Sequence, residues 1–315
     1  MKKKSIYLTG NTGMVGHSIV QLLNKKKYKI IVSKNRLDLT NKKKTEDFFK
    51  LHKPEIVINL AAKVGGIMSN KNHKIEFLNT NSLIQMNIIN CCNKFNVKKL
   101  INFGSNCIYP AEINNKISEK DLLEGKLEIT NEGYSMAKIL GLKLCQFYNE
   151  QFKRQFFTLM PANLYGPHDN FYNDDSHVVP ALIRKIFMAK KQNRTNVTLW
   201  GSGKPIRDFL YVDEISKAII FFLKKDLKSV IHKKKIHYVN IGSGKGINIK
   251  NLAFKIKKLL EYKGNIFWDK KNTDGHKKKV LDISLSQKLG FKVKENLDKN
   301  LKLTIDWYLS RIKSL

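Results

Sequence analysis

The chain has 315 residues, 42% hydrophobic and 10% aromatic, and is long enough to bury roughly three quarters of the surface it exposes when unfolded. Its formal charge is +33, yet only six of 59 basic residues are arginine, and the lysines are scattered in twos and threes. That pattern fits solvated faces and anionic ligands, and it argues against a nucleic-acid binder.

No run of about 18 apolar residues occurs, which excludes a membrane-spanning helix. The four cysteines (Cys91, Cys92, Cys107, Cys145) form no Cys-x-x-Cys pair and have no histidine at zinc spacing. With no export segment after Met1, they predict a reduced, cytoplasmic protein.

A strand is predicted over 5–9, followed by Gly10-Asn11-Thr12-Gly13-Met14-Val15-Gly16 and a helix over 14–23. Strand, glycine turn and helix are the setting of a dinucleotide-binding loop. Gly10 permits the tight turn, Gly13 lets the backbone approach a pyrophosphate, and Gly16 lets the helix pack closely. The helix N-terminus offers free N–H groups to the phosphates. Without a ligand, the same residues make an ordinary strand–helix turn.

The second strand, 30–33, ends in Lys34-Asn35-Arg36. An acid here would select NAD, whereas a basic residue suits the 2′-phosphate of NADP. The first acid is Asp38, so Lys34 and above all Arg36 point to NADPH.

A continuous apolar run over 56–62 predicts a strand buried on both faces, with another at 99–104 and helices near 42–51 and 76–95. This alternation predicts an α/β fold with a Rossmann-type doubly wound parallel sheet, whose ligands bind beyond the carboxyl ends of the strands. Ser105 and Cys107 follow such an end and should face the crevice of Gly10. A serine there is otherwise a turn residue, and a cysteine a small buried hydrophobe.

In Asn131-Glu132-Gly133-Tyr134-Ser135-Met136-Ala137-Lys138, the tyrosine and lysine stand four apart on one face of a predicted helix. An ammonium so placed favours phenolate and makes Tyr134 a usable proton donor. The spacing alone is common, and Lys138 by itself reads as one more solvated lysine.

Further on, a strand is predicted at 156–160, helices at 180–189 and 212–223, and a last strand at 239–242. We expect a Rossmann domain over 1–167, with 206–242 returning to it, and a smaller α/β substrate domain over 168–315. The lysine-rich stretches 224–235 and 270–279 read as exposed loops. His177, just before a helix, reads alone as a capping or surface histidine.

Taken together, the glycine loop, Asn59-Leu60-Ala61-Ala62, Ser105 and Tyr134-x-x-x-Lys138 resemble the extended short-chain dehydrogenase/reductase superfamily. Longer stretches resemble the GDP-L-fucose synthase family more narrowly. They are Ala62-Lys63-Val64-Gly65-Gly66-Ile67, Gly104-Ser105-Asn106-Cys107-Ile108-Tyr109-Pro110, the run from Asn163 to Phe171, that from Ser176 to Leu182, and Trp200-Gly201-Ser202-Gly203.

The resemblance implies an NADPH-dependent 3,5-epimerase-4-reductase acting on GDP-4-keto-6-deoxy-D-mannose. It makes Cys107 and His177 the base and acid that invert C3 and C5, and Tyr134 the proton donor to the C4 oxygen. Ser105 bonds the ketone and Lys138 the nicotinamide ribose. It also places Thr12, Met14, Val15, Ala61, Ala62 and His177 at the cofactor. Asn163, Lys185, Trp200, Arg207 and Lys279 fall at the GDP-sugar. It further implies a homodimer through the helix bearing Tyr134 and the long helix before it.

The chain departs from the family pattern at Thr12, where a basic residue is usual, at Asn106 and Gly133, and over residues 68–80. A related GDP-4-keto sugar, such as a 6-deoxy-heptose reduced with or without epimerisation, is the alternative substrate. A nucleotide- or nucleic-acid-binding protein on the same fold is the non-enzyme alternative.

Overall fold

The apolar runs of the first half become the strands of one sheet in the computed structural model, which describes residues 3–23, 27–33, 37–172, 175–269 and 276–312. Lys34 and Arg36 lie outside the described residues. In chain order the first elements are β1 (Lys4–Thr9), α1 (Met14–Leu22), β2 (Tyr28–Ile31), α2 (Lys42–His52), β3 (Ile56–Asn59), α3 (Ile67–Asn72), α4 (Lys74–Lys94), β4 (Lys99–Phe103), α5 (Glu132–Phe152) and β5 (Phe156–Pro161). There follow β6 (Asn163–Tyr165), α6 (Val178–Lys191), β7 (Asn196–Trp200), β8 (Ile206–Tyr211), α7 (Val212–Lys224) and β9 (Tyr238–Ile241). The chain ends with β10 (Gly246–Asn248), α8 (Ile249–Leu259), β11 (Asn265–Asp269), β12 (Lys278–Lys279), α9 (Ser284–Lys288) and α10 (Leu297–Ile312).

The six-stranded sheet has the order β2-β1-β3-β4-β5-β9, with every neighbouring pair parallel. From β1 the chain crosses to one side and then to the other, so the order reverses between β1 and β3. That reversal opens a crevice at their carboxyl ends.

Side chains alternate across the sheet. Ile6, Leu8, Ile58, Ile101 and Phe157 enter one core with Ile19 of α1 and Ile215 and Phe222 of α7. Tyr7, Val57, Leu100 and Phe156 enter the other, with Phe49, Ile88, Cys92 and Cys145 from α2, α4 and α5. Both faces are covered, which is why the strands read as apolar runs rather than alternating ones. Burial pushes the thiols of Cys91 and Cys145 up to about 12, and that of Cys92 well above its ordinary value. These three cysteines are packing groups.

Four expectations change. β3 ends at Asn59, because the amides of Leu60 and Ala61 turn to the Thr9 hydroxyl instead of continuing the ladder. Segment 206–211 does not return to the large sheet: β8 pairs with β6, β10 and β12, and the chain rejoins the large sheet at β9. The stretch 224–235 contains a helical turn, Ser229–Lys233, and buries Leu227, Val230 and Ile231 in the first core. Of 270–279, only 276–279 are described, and Lys279 is a buried residue of β12 rather than a loop residue. Among the described residues, no helix is long and apolar enough to cross a membrane.

The glycine loop is dictated by space. Gly10 has φ +65°, and a Cβ there would approach the Leu60 carbonyl carbon to 3.0 Å. A Cβ on Gly16 would overlap the Gly10 carbonyl oxygen and lie 2.6 Å from the Asn11 Cα. At Gly13 an added Cβ meets only the Gly10 oxygen, at 3.5 Å. Gly16→Ala is therefore expected to cost about 1–3 kcal/mol in urea unfolding. Gly13→Ala should stay within about 0.5 kcal/mol of the parent.

Candidate active site

At the carboxyl ends of β1, β3 and β4, polar side chains replace apolar ones inside the sheet. The Thr9 hydroxyl donates to Asn59 Oδ1 at 2.9 Å, and Asn59 Nδ2 donates to Asn102 Oδ1 at 3.0 Å. All three residues are buried. Thr9 Oγ1 also accepts from the amides of Leu60 and Ala61, each at 3.0 Å. Three strand ends are thus locked together beneath the crevice. Above them, Gly13 caps α1 with no side chain over the free amides, and no acid stands in the first turn. That end is open to an anion and fits a dinucleotide pyrophosphate, with Met14 and Val15 in the first turn, Thr12 exposed, and Ala61 and Ala62 half-buried opposite.

After β4, Ser105 starts a single 3₁₀ turn, Asn106–Ile108, and its Oγ accepts from the Cys107 amide at 3.2 Å. Cys107 is the one half-buried cysteine. Asn131 Nδ2 donates to its Sγ at 3.4 Å, and the Ser135 hydroxyl donates to its carbonyl at 2.9 Å. These contacts hold the turn against the N-terminus of α5.

Tyr134 lies close enough to Ser105 and Cys107 for both to act on its phenol. Burial pushes its phenol well above the ordinary value, and the nearby Ser105 hydroxyl only partly opposes this. The sequence-based expectation of a phenol lowered by Lys138 is not met, because desolvation dominates. Lys138 is buried rather than solvated: Nζ lies 5.6 Å from the Tyr134 ring centroid and donates to the Phe103 carbonyl at 2.8 Å. Burial brings its ammonium down to about 8.

His177 stands at the N-cap of α6, with Nδ1 3.2 Å from Asp169 Oδ1. That contact raises its pKa above the usual imidazole value. Asn163 is fixed by a 2.9 Å bond from Nδ2 to the Asp208 carbonyl. Lys185 lies over the exposed ring of Trp200 at 4.4 Å, a cation–π pair on α6 and β7. Arg207 donates to the carbonyls of Ile206 and His276 at 3.0 and 2.7 Å.

Lys279, paired in register with Arg207, is buried, and desolvation lowers its ammonium. Cys107 and Arg207 act on it with opposite signs, so it stands at the thiol side of the site. The structure thus gathers Ser105, Cys107, Tyr134, Lys138, Arg207 and Lys279 into one neighbourhood, while Lys185 and Trp200 form a separate pair. Sequence reasoning missed Thr9, Asn59, Asn102, Asn131 and Asp169. The signal available for Asn59 and Asn102 was a single amide interrupting each of two apolar runs.

This architecture, a doubly wound parallel sheet with a glycine loop after its first strand, is that of a dinucleotide-binding Rossmann fold. The chain belongs to the NAD dependent epimerase/dehydratase family, whose model matches residues 6–242. Its relatives include GDP-L-fucose synthase 1 of Arabidopsis thaliana, 40% identical over 99% of this chain and 95% of that protein. Among solved structures, a GDP-6-OMe-4-keto-L-xylo-heptose reductase from C. jejuni superposes with a TM-score of 0.91 at 29% identity, covering 99% of both chains. A GDP-mannoheptose C4 reductase from Campylobacter jejuni with NADP bound does so at 0.87 and 30% identity, over 98% of this chain and 99% of that one.

Lys138 gives a pH signature. Between about 8 and the ordinary lysine value of 10.5, the unfolded chain holds a proton that the folded chain has released. Stability contributed at this residue therefore rises with pH through that window. In urea unfolding, the parent should gain on Lys138→Met by about 2 kcal/mol between pH 7.5 and pH 10. A constant difference would contradict the buried-ammonium reading.

Proposed function

We propose that the protein inverts C3 and C5 of GDP-4-keto-6-deoxy-D-mannose and then reduces C4, forming GDP-L-fucose with NADPH as reductant. The observation that carries this reading is the convergence of Ser105, Cys107 and Tyr134, close enough for the first two to act on the phenol. It occurs in a chain 40% identical along its length to a GDP-L-fucose synthase. NADP in a related solved structure supports the choice of cofactor.

A 4-keto group acidifies the protons at C3 and C5, because their loss gives an enolate. Inversion needs a base on one face and an acid on the other. Cys107 serves as the base and His177 as the acid. Ser105 donates a hydrogen bond to the ketone oxygen. Tyr134 delivers its proton there as the oxygen gains charge; its raised pKa keeps that proton in place until then. Lys138 anchors the ribose side of the cofactor, which when bound supplies the hydride. Met14, Val15, Ala61, Ala62 and His177 border that cofactor. Lys185 and Lys279 neutralise the diphosphate, Trp200 and Arg207 contact the substrate, and Asn163 meets the sugar.

The structural likeness to a heptose reductase favours one second reading: a related GDP-4-keto sugar bearing an extra carbon, accommodated near residues 68–80. We also propose a homodimer through α4 and α5, which expose Ile75, Met136 and Phe147 at 76%, 50% and 51%. Light scattering reads the mass of that assembly directly.

With GDP-4-keto-6-deoxy-D-mannose, NADPH should be oxidised, and Tyr134→Phe should slow turnover by about 10²–10⁴-fold. NADPH affinity of the variant, read by fluorescence titration, should match the parent. Unchanged turnover in Tyr134→Phe would remove the tyrosine from its role.

A further inference from the structure

We propose that Asp169 is a positioning residue that holds His177 by Nδ1 and keeps it loaded as the acid that reprotonates the sugar. This rests on the role given to His177 above. Asp169 follows His168, whose φ of +66° turns the chain so that the carboxyl side chain lies 5% exposed behind the histidine. Oδ1 accepts from the Asn170 amide at 2.8 Å and faces His177 Nδ1 at 3.2 Å. Oδ2 is buried and has no hydrogen-bond partner among the described residues.

The setting makes such a partner necessary. His177 occupies the N-cap of α6, where no side chain caps the free amides and the positive end of the helix opposes an imidazolium. Asp169 supplies the opposite charge, and no other charged group among the described residues shifts this histidine.

With Nδ1–H donated to Asp169, Nε2–H is the proton to be given. The enolate carbon takes it, a C–H bond forms, and the N–H electron pair stays on Nε2 as a neutral imidazole. Reloading comes from solvent, which reaches a side chain that is 46% exposed. The carboxylate neither gains nor loses a proton.

The test is Asp169→Asn, which preserves shape and removes the charge. Two readouts apply: titration of His177 by long-range ¹H–¹⁵N spectra of histidine-labelled protein, and deuterium uptake from solvent into GDP-4-keto-6-deoxy-D-mannose. We expect the His177 pKa to fall by about one unit or more. Uptake at the carbon His177 serves should drop roughly tenfold or more at pH 8 and recover towards pH 6. Asp169→Glu, with the charge kept on a longer arm, should hold both values nearer the parent and guards against a variant that merely unfolds.

An unchanged His177 pKa in Asp169→Asn would overturn the proposal. So would a lowered pKa with unaltered uptake. If the parent itself turns over no GDP-4-keto sugar, the function assigned above fails and the catalytic half of this proposal with it. The titration still decides whether Asp169 governs the histidine.

Discussion

A buried row of side-chain hydrogen bonds, Thr9 to Asn59 to Asn102, ties the carboxyl ends of β1, β3 and β4, and the site is assembled on it. Three polar groups inside a sheet would be costly if any partner were missing, about 1–3 kcal/mol for each orphaned atom. Because each is satisfied, the row specifies register where the chain must leave the sheet in several directions at once. The Thr9 hydroxyl collects the amides of Leu60 and Ala61, and Gly10, left-handed at φ +65°, lies so close to that exit that a Cβ would crowd the Leu60 backbone. One strand over, the Phe103 carbonyl receives Lys138, so the same strand ends that seat the glycine loop also seat the lysine of α5.

Burial then sets the chemistry of the groups on that base. It drives the Tyr134 phenol up and the Lys138 ammonium down, and both shifts favour neutral forms. A tyrosine in such a place holds its proton until negative charge appears opposite it. Cys107 differs from the other three cysteines in lying half-buried in a polar turn, with an amide N–H directed at its sulfur. His177 has a carboxylate at its back. Each group is held by a neighbour rather than left to a flexible side chain.

Much of the fold was legible in the sequence because a sheet covered on both faces leaves unbroken apolar runs, and α1 to β5 follow them closely. What sequence could not show was partnership. Nothing within Ile206–Tyr211 says that it joins a small second sheet, because strand neighbours are chosen by distant residues. The burial of Lys279 was hidden by composition: the family resemblance singled the residue out, but among so many solvated lysines nothing marks it as buried until β12 is placed beside β8. Ser105, Tyr134 and Cys107 were legible as a set through their positions after a strand and at a helix start. Asp169 was not, since its link to His177 spans a turn whose geometry depends on one left-handed residue.

In the proposed reaction one site both inverts C3 and C5 and reduces C4. The most direct measurement is NMR and mass spectrometry of the product formed from GDP-4-keto-6-deoxy-D-mannose and NADPH in deuterium oxide. Two solvent deuterons, at C3 and C5 of a sugar in the L-fucose configuration, are the predicted result. A reduced product that keeps the D-manno configuration at C3 and C5 and carries no deuterium there would contradict it.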